Sequence, residues 1–219
     1  MTPISLIIGI VLRLVGMMLL VASGSAGADS ISNAGQPTYE RCGYCHELDG
    51  NSRMEGFPRL AGQTFDYMVK QLQDFRERRR AGTMRATAEL LSDAEIITVA
   101  RYFNTQTPSA TVNTALAKHD LQTAENLYRR GDSARGIPAC SSCHGASGEG
   151  RSGIPRLAGQ HAAYLEVQLL DFKRGVRVND EESVMRSIVS AMTEHEIHAL
   201  ARYFASFDSR VSASLKLTP

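Results

Sequence analysis

The sequence predicts an all-α protein made of two tandem copies of one small domain. Three observations support this. A set of blocks recurs once, in the same order, along the 219 residues. Apolar residues inside those blocks return at helical spacing. No run alternates in the manner of a strand. The composition is that of an ordinary globular chain, 43% apolar and 21% charged with no Trp. A formal net charge of +1 excludes the strongly basic field expected of a nucleic-acid binder.

At the N-terminus, residues 4–21 are almost entirely apolar and are interrupted by Arg13. Small residues at 25–28 end in an Ala-x-Ala arrangement, which predicts an export signal over 1–28 cleaved after Ala28. Left uncleaved, the run would be a membrane anchor near the lower length limit, with Arg13 costly in its middle. In both cases the remainder is expected outside the cytoplasm, in the periplasm, with membrane association only through the N-terminus.

The repeat begins with Cys42-Gly43-Tyr44-Cys45-His46, which returns as Cys140-Ser141-Ser142-Cys143-His144. Phe57-Pro58-Arg59-Leu60-Ala61-Gly62-Gln63 returns as Ile154-Pro155-Arg156-Leu157-Ala158-Gly159-Gln160. Tyr67, Gln71-Leu72 and Asp74-Phe75 match Tyr164, Gln168-Leu169 and Asp171-Phe172. Met84-Arg85 matches Met185-Arg186, and Ala100-Arg101-Tyr102-Phe103 matches Ala201-Arg202-Tyr203-Phe204. The second copy carries extra residues around 178–182, ahead of its Met. The expected domains are 29–107 and 120–219, joined by a linker over 108–119 rich in Thr, Ala, Ser and Asn. Each copy is small enough to need a covalent or metal staple beside its core.

Helices are expected in order. Residues 37–41 and 120–130 lead into the cysteine motifs. Residues 65–80 place Met68, Leu72 and Phe75 on one face behind Thr64 as N-cap. Ser92-x-x-Glu95 and Thr193-x-x-Glu196 are capping boxes that open the helix ending each copy.

The cysteine spacing carries the chemistry. Two thiols separated by two residues can add to the two vinyl groups of one haem, and the adjacent His then supplies an iron ligand. A zinc site built from the two pairs would not need a His after each. A thioredoxin-like redox pair would need a βαβ surround. The reading is therefore two covalent haem c groups, held by Cys42 and Cys45 and by Cys140 and Cys143, with His46 and His144 as axial ligands. A second axial ligand completes each iron, and Met84 and Met185 hold equivalent places in segments without strong helical pattern. Met68 and Met192 align with Leu165 and Leu91 and are expected in the cores. His119, His161, His195 and His198 are read as surface or supporting residues. The basic run Arg76, Arg78, Arg79, Arg80 is either part of a docking rim for an acidic partner or the solvated end of a helix.

With these residues in view, the chain resembles the cytochrome c4 family of dihaem, two-domain class I c-type cytochromes, over residues 37–207. The two Cys-x-x-Cys-His motifs, the duplicated Pro-Arg-Leu-Ala-Gly-Gln block and the two Met-Arg segments carry the resemblance. It implies two tandem class I cytochrome c domains, each wrapped around one haem. It also implies that Pro58 and Pro155 accept a hydrogen bond from the imidazoles. The expected role is electron transfer rather than catalysis, between respiratory redox proteins such as a quinol-oxidising complex and a terminal oxidase. The alternative is the cytochrome subunit of an exported flavin-dependent dehydrogenase of the sulfide-oxidising type. Two filled axial positions argue against a haem peroxidase.

Overall fold

The computed structural model describes residues 37–109 and 116–207. The expected export signal and residues 110–115 of the linker lie outside the described residues. The first copy consists of α1 (Thr38–His46), α2 (Phe65–Arg76), α3 (Met84–Ala88) and α4 (Asp93–Thr105). The second begins with α5 (Lys118–Arg130), two residues earlier than the predicted start. A 3-10 turn (Ser133–Arg135) and α6 (Ser141–His144) follow, then α7 (Ala162–Lys173), a second 3-10 turn (Glu181–Ser183), α8 (Val184–Ser190) and α9 (Glu194–Ala205). The described residues contain no strand, only the isolated bridges Asp132–Ile137 and Arg151–Ile154. No helix among them is long and apolar enough to cross a membrane.

The last helix of each copy organises its domain. α4 packs on α1 and α2, and α9 packs on α5 and α7. Both predicted capping boxes form, so two otherwise orphaned N–H groups are satisfied at each helix start. An arginine from the N-terminal side then grips each capping glutamate: Arg41 meets Glu95 at 3.1 Å, and Arg135 meets Glu196 at 2.7 Å. Met68, Phe75 and Leu91 are buried in the first copy, as are Leu165, Phe172 and Met192 in the second. The core assignments of Met68 and Met192 therefore hold.

Three local expectations are corrected. α2 stops at Arg76 rather than running to Arg80. Arg78 turns into positive φ there, and the Phe75 and Asp74 carbonyls capture the N–H groups of Arg78 and Arg80. α1 is one helix that includes the whole first cysteine motif rather than a short lead-in. In the second copy, residues 131–139 part α5 from Cys140, so that motif sits on its own short helix. Gly131 makes this turn at φ +70, where a Cβ would strike the Ile137 carbonyl.

Candidate haem-binding sites and the face between them

Cys42, Cys45 and His46 lie on α1, and Cys140, Cys143 and His144 lie at and on α6. No disulfide joins the four cysteines. Each imidazole is buried, and each is fixed by one carbonyl. His46 Nδ1 lies 2.9 Å from the Pro58 oxygen, and His144 Nδ1 lies 3.0 Å from that of Pro155. A carbonyl only accepts, so Nδ1 carries the proton and Nε2 keeps its lone pair for a metal. Burial pushes both imidazoles below their ordinary pKa and so favours this neutral form, an effect the carbonyl only partly offsets.

The duplicated Pro-Arg-Leu-Ala-Gly-Gln block is what places that carbonyl. The N–H groups of Leu60 and Ala61 both donate to the Gly50 oxygen, at 2.8 and 3.0 Å. Those of Leu157 and Ala158 do the same to Gly148, at 2.8 and 3.0 Å. Gly62 N–H reaches the Phe103 oxygen at 2.9 Å, and Gly159 N–H reaches that of Phe204 at 3.0 Å, tying each block to the end of the last helix.

Met84 is the first residue of α3 and Met185 the second of α8, and both are half-buried. The sequence placed them in irregular segments. Short helices form instead because these segments pack on α2 and α7, a tertiary gain that a weak local pattern does not show. The residues added before Met185 form the second 3-10 turn, where Glu182 and Ser183 take positive φ.

A set of polar residues that the sequence reading left without a role joins the two copies. Arg80 donates to Gln71 Oε1 at 2.8 Å in its own domain, and to Tyr164 Oη at 3.1 Å and Gln168 Oε1 at 2.6 Å in the other. Arg177 mirrors it. It donates to Gln168 Oε1 at 2.8 Å, and across the face to Tyr67 Oη at 3.1 Å and Gln71 Oε1 at 3.1 Å. Each guanidinium also lies over its own phenyl ring, 4.5 Å from the Phe75 centroid and 4.4 Å from that of Phe172. The matched glutamines cross as well. Gln63 bonds the backbone of Arg156, and Gln160 that of Arg59. Burial alone would raise the Tyr67 phenol, but Arg177 and Arg80 outweigh it and hold its pKa below the ordinary value. The signal in the sequence was that Tyr, Gln and Arg recur in both copies at positions one isolated domain does not need.

One part of this face has no mirror. Asn179, from the added residues of the second copy, donates to Asp74 Oδ2 at 2.7 Å and Gln71 Oε1 at 2.9 Å. Lys70 Nζ meets the Asn179 carbonyl at 2.7 Å and also pairs with Asp74, which is 1% exposed. Burial would raise the Asp74 carboxyl, but Lys70, Arg79 and Asn179 outweigh it and hold its pKa below the ordinary value.

The basic run divides: Arg78 and Arg79 lie exposed just past the end of α2, Arg76 is partly exposed, and Arg80 turns inward. Arg76 pairs with Asp93 at 2.6 Å, Arg78 with Glu89 at 2.9 Å and Arg79 with Asp74 at 2.8 Å, while Arg80 is buried between the domains. Of the remaining histidines, His161 Nε2 meets the Ser52 carbonyl across the face at 2.8 Å. His198 pairs with Glu166, and the exposed His119 and His195 converge on Asp120.

Residues 130–208 match the Cytochrome c family model. Cytochrome c4 of Azotobacter vinelandii is 38% identical over 200 residues, covering 85% of this chain and 94% of that protein. The chain belongs to the cytochrome c4 family. The crystal structure of reduced recombinant cytochrome c4 from Pseudomonas stutzeri superposes with a TM-score of 0.70 at 35% identity, covering 78% of this chain and 96% of that one. The thiosulfate dehydrogenase electron acceptor of Stutzerimonas stutzeri is 35% identical, covering 87% of this chain and 90% of that protein.

As a cytochrome c4 family member the chain is an electron-transfer protein of two cytochrome c domains, and it carries two haem c groups. Its residues fit those groups. Each motif presents two thiols and one neutral imidazole with a fixed ring. Each haem also brings two carboxylates, and the buried guanidiniums of Arg80 and Arg177 hydrogen-bond no carboxylate among the described residues. Buried cations in that condition favour added negative charge.

Proposed function

We propose that this protein takes electrons from one exported redox protein and gives them to another, using a His46/Met84 iron in the first domain and a His144/Met185 iron in the second. Covalent attachment runs through Cys42 and Cys45, and through Cys140 and Cys143. The domains run over 29–107 and 120–219, and the chain acts in the periplasm after export. The observation that carries the ligand reading is the pair of His–Pro bonds, 2.9 and 3.0 Å, which leave both Nε2 lone pairs available.

When bound, each haem supplies an iron that accepts or gives one electron. The chain's own residues keep that change small in structure. The Pro carbonyls hold the imidazoles of His46 and His144, their burial limits water there, and Met84 and Met185 would supply the remaining ligand to each haem. With His and Met both bound, each iron would have no position for substrate.

The donor on the first reading is a quinol-oxidising complex and the acceptor a terminal oxidase. A dehydrogenase donor is the second reading, favoured by the relative named as a thiosulfate dehydrogenase electron acceptor. A tightly bound flavin-dependent dehydrogenase of the sulfide-oxidising type is a variant of it. Stopped-flow reduction separates them: one donor should reduce the oxidised protein orders of magnitude faster than the others, and a flavoprotein that copurifies stoichiometrically would select the subunit role. For the ligands, Met84→Ala and Met185→Ala should each remove one far-red methionine–iron band, lower one potential and admit small ligands to one iron. Retention of both bands would reject the assignment.

A further inference from the structure

One peptide group in each domain has two partners. The Pro58–Arg59 peptide accepts from His46 Nδ1 through its oxygen at 2.9 Å, and donates its N–H to Gln160 Oε1 of the second domain at 2.8 Å. The Pro155–Arg156 peptide accepts from His144 Nδ1 at 3.0 Å and donates its N–H to Gln63 Oε1 of the first domain at 2.7 Å. The glutamine amides are held in place. Gln160 Nε2 donates to the Arg59 carbonyl at 2.8 Å, and Gln63 Nε2 to that of Arg156 at 3.0 Å. Each Oε1 also accepts the next residue's N–H, from His161 at 3.0 Å and from Thr64 at 2.8 Å. Both glutamines are 6% exposed, so water does not compete for these bonds.

Amide resonance links the two ends of such a peptide. Donation from N–H draws charge onto the oxygen, so the carbonyl becomes a better acceptor. A better acceptor pulls harder on Nδ1–H and gives the imidazole more anionic character. A more basic imidazole stabilises iron(III) over iron(II) and lowers the potential.

We propose that Gln160 sets the basicity of His46 and Gln63 that of His144, so that each domain tunes the iron of the other. The inference rests on reading His46 and His144 as axial ligands. The glutamines are positioning residues: they act through the Pro58–Arg59 and Pro155–Arg156 peptides. A glutamine that merely glued the domains together would affect both irons alike.

The test uses the full-length dihaem protein, with the two potentials resolved by NMR of assigned haem methyl groups. Gln160→Met removes the acceptor at similar volume. It should raise the first-domain potential, speed exchange of the His46 Nδ1 proton, and leave the second-domain haem nearly unmoved. Gln160→Glu keeps an acceptor and adds charge, so it should move the first-domain potential the opposite way. Gln63→Met should give the mirror result at the second haem. Equal shifts at both haems, a shift confined to the domain carrying the substitution, or the same sign for Met and Glu would overturn the proposal. The ligand reading is checked separately on the oxidised wild type: strong paramagnetic shifts of the His46 and His144 ring protons are required, and their absence would refute that reading before any glutamine is changed.

Discussion

In the first domain the main cluster of buried apolar residues is Met68, Val99, Ala100 and Phe103. In the second domain the corresponding cluster extends through Ala124, Leu127, Tyr128, Ile137, Val189, Leu200, Phe204 and others. The difference begins at the N-terminal helices. α5 buries Ala124, Leu127 and Tyr128, whereas α1 buries only His46 and meets α4 through the stacked rings of Tyr39 and Tyr102, 3.8 Å apart. The polar groups behave differently. Apart from the contacts of Asn179, Gln63, Tyr67, Gln71 and Arg80 have the same partners as Gln160, Tyr164, Gln168 and Arg177, exchanged between domains. The two copies diverged in how each fills its interior, and kept the matched Gln, Tyr and Arg contacts where each faces the other.

That contrast can be broken most directly by removing one haem at a time. The Cys42→Ala/Cys45→Ala and Cys140→Ala/Cys143→Ala variants should each lose one haem by intact mass. The first variant is expected to lose most of its domain's protease resistance, and the second to keep more, because its interior buries more apolar surface. Equal losses would mean that the difference in packing has no energetic weight.

The shared face gives the next effect. Arg80→Met and Arg177→Met should each cost about 2–3 kcal/mol in denaturant unfolding, because one phenol loses its donor and both buried amide oxygens lose one of theirs. Similar costs for the two are the expected mark of their exchanged partners. Asn179→Ala, which has no mirror position, should cost about 1 kcal/mol, since Asp74 keeps Lys70 and Arg79.

The smallest effect separates the two capping glutamates. Hydrogen bonds from Ser92 and Thr38 bring Glu95 down to about 2, and Arg135 leads the causes that bring Glu196 to about 2. A carboxylate with a lowered folded pKa contributes stability above its unfolded value, about 4.3. That contribution is lost as pH falls towards 2. Acid titrations of Glu95→Gln and Glu196→Gln should therefore lose part of the low-pH dependence. Added salt should weaken the Glu196 contribution more, because an ion pair leads there.

The helical class, the duplication and the cysteine chemistry were legible because each depends on short spacing. The capping boxes at Ser92 and Thr193 were legible for the same reason. Arg80 was not. It read as the last of four clustered cations, because its partners Tyr164 and Gln168 stand far along the chain. The helical state of Met84 and Met185 was missed for a related reason: packing on a neighbouring helix decides it, and local propensity does not.

The reciprocal pairing of like residues is the arrangement two identical subunits make around a dyad. A lone copy would carry both halves of that pairing on its own surface, with its glutamine, tyrosine and arginine exposed to water in place of their partners. Fragments cut at the linker should accordingly seek one another, or themselves, in a concentration-dependent way. Joined in one chain, the same groups stay saturated at any dilution, because the tether sets an effective concentration that the cell's expression level cannot change.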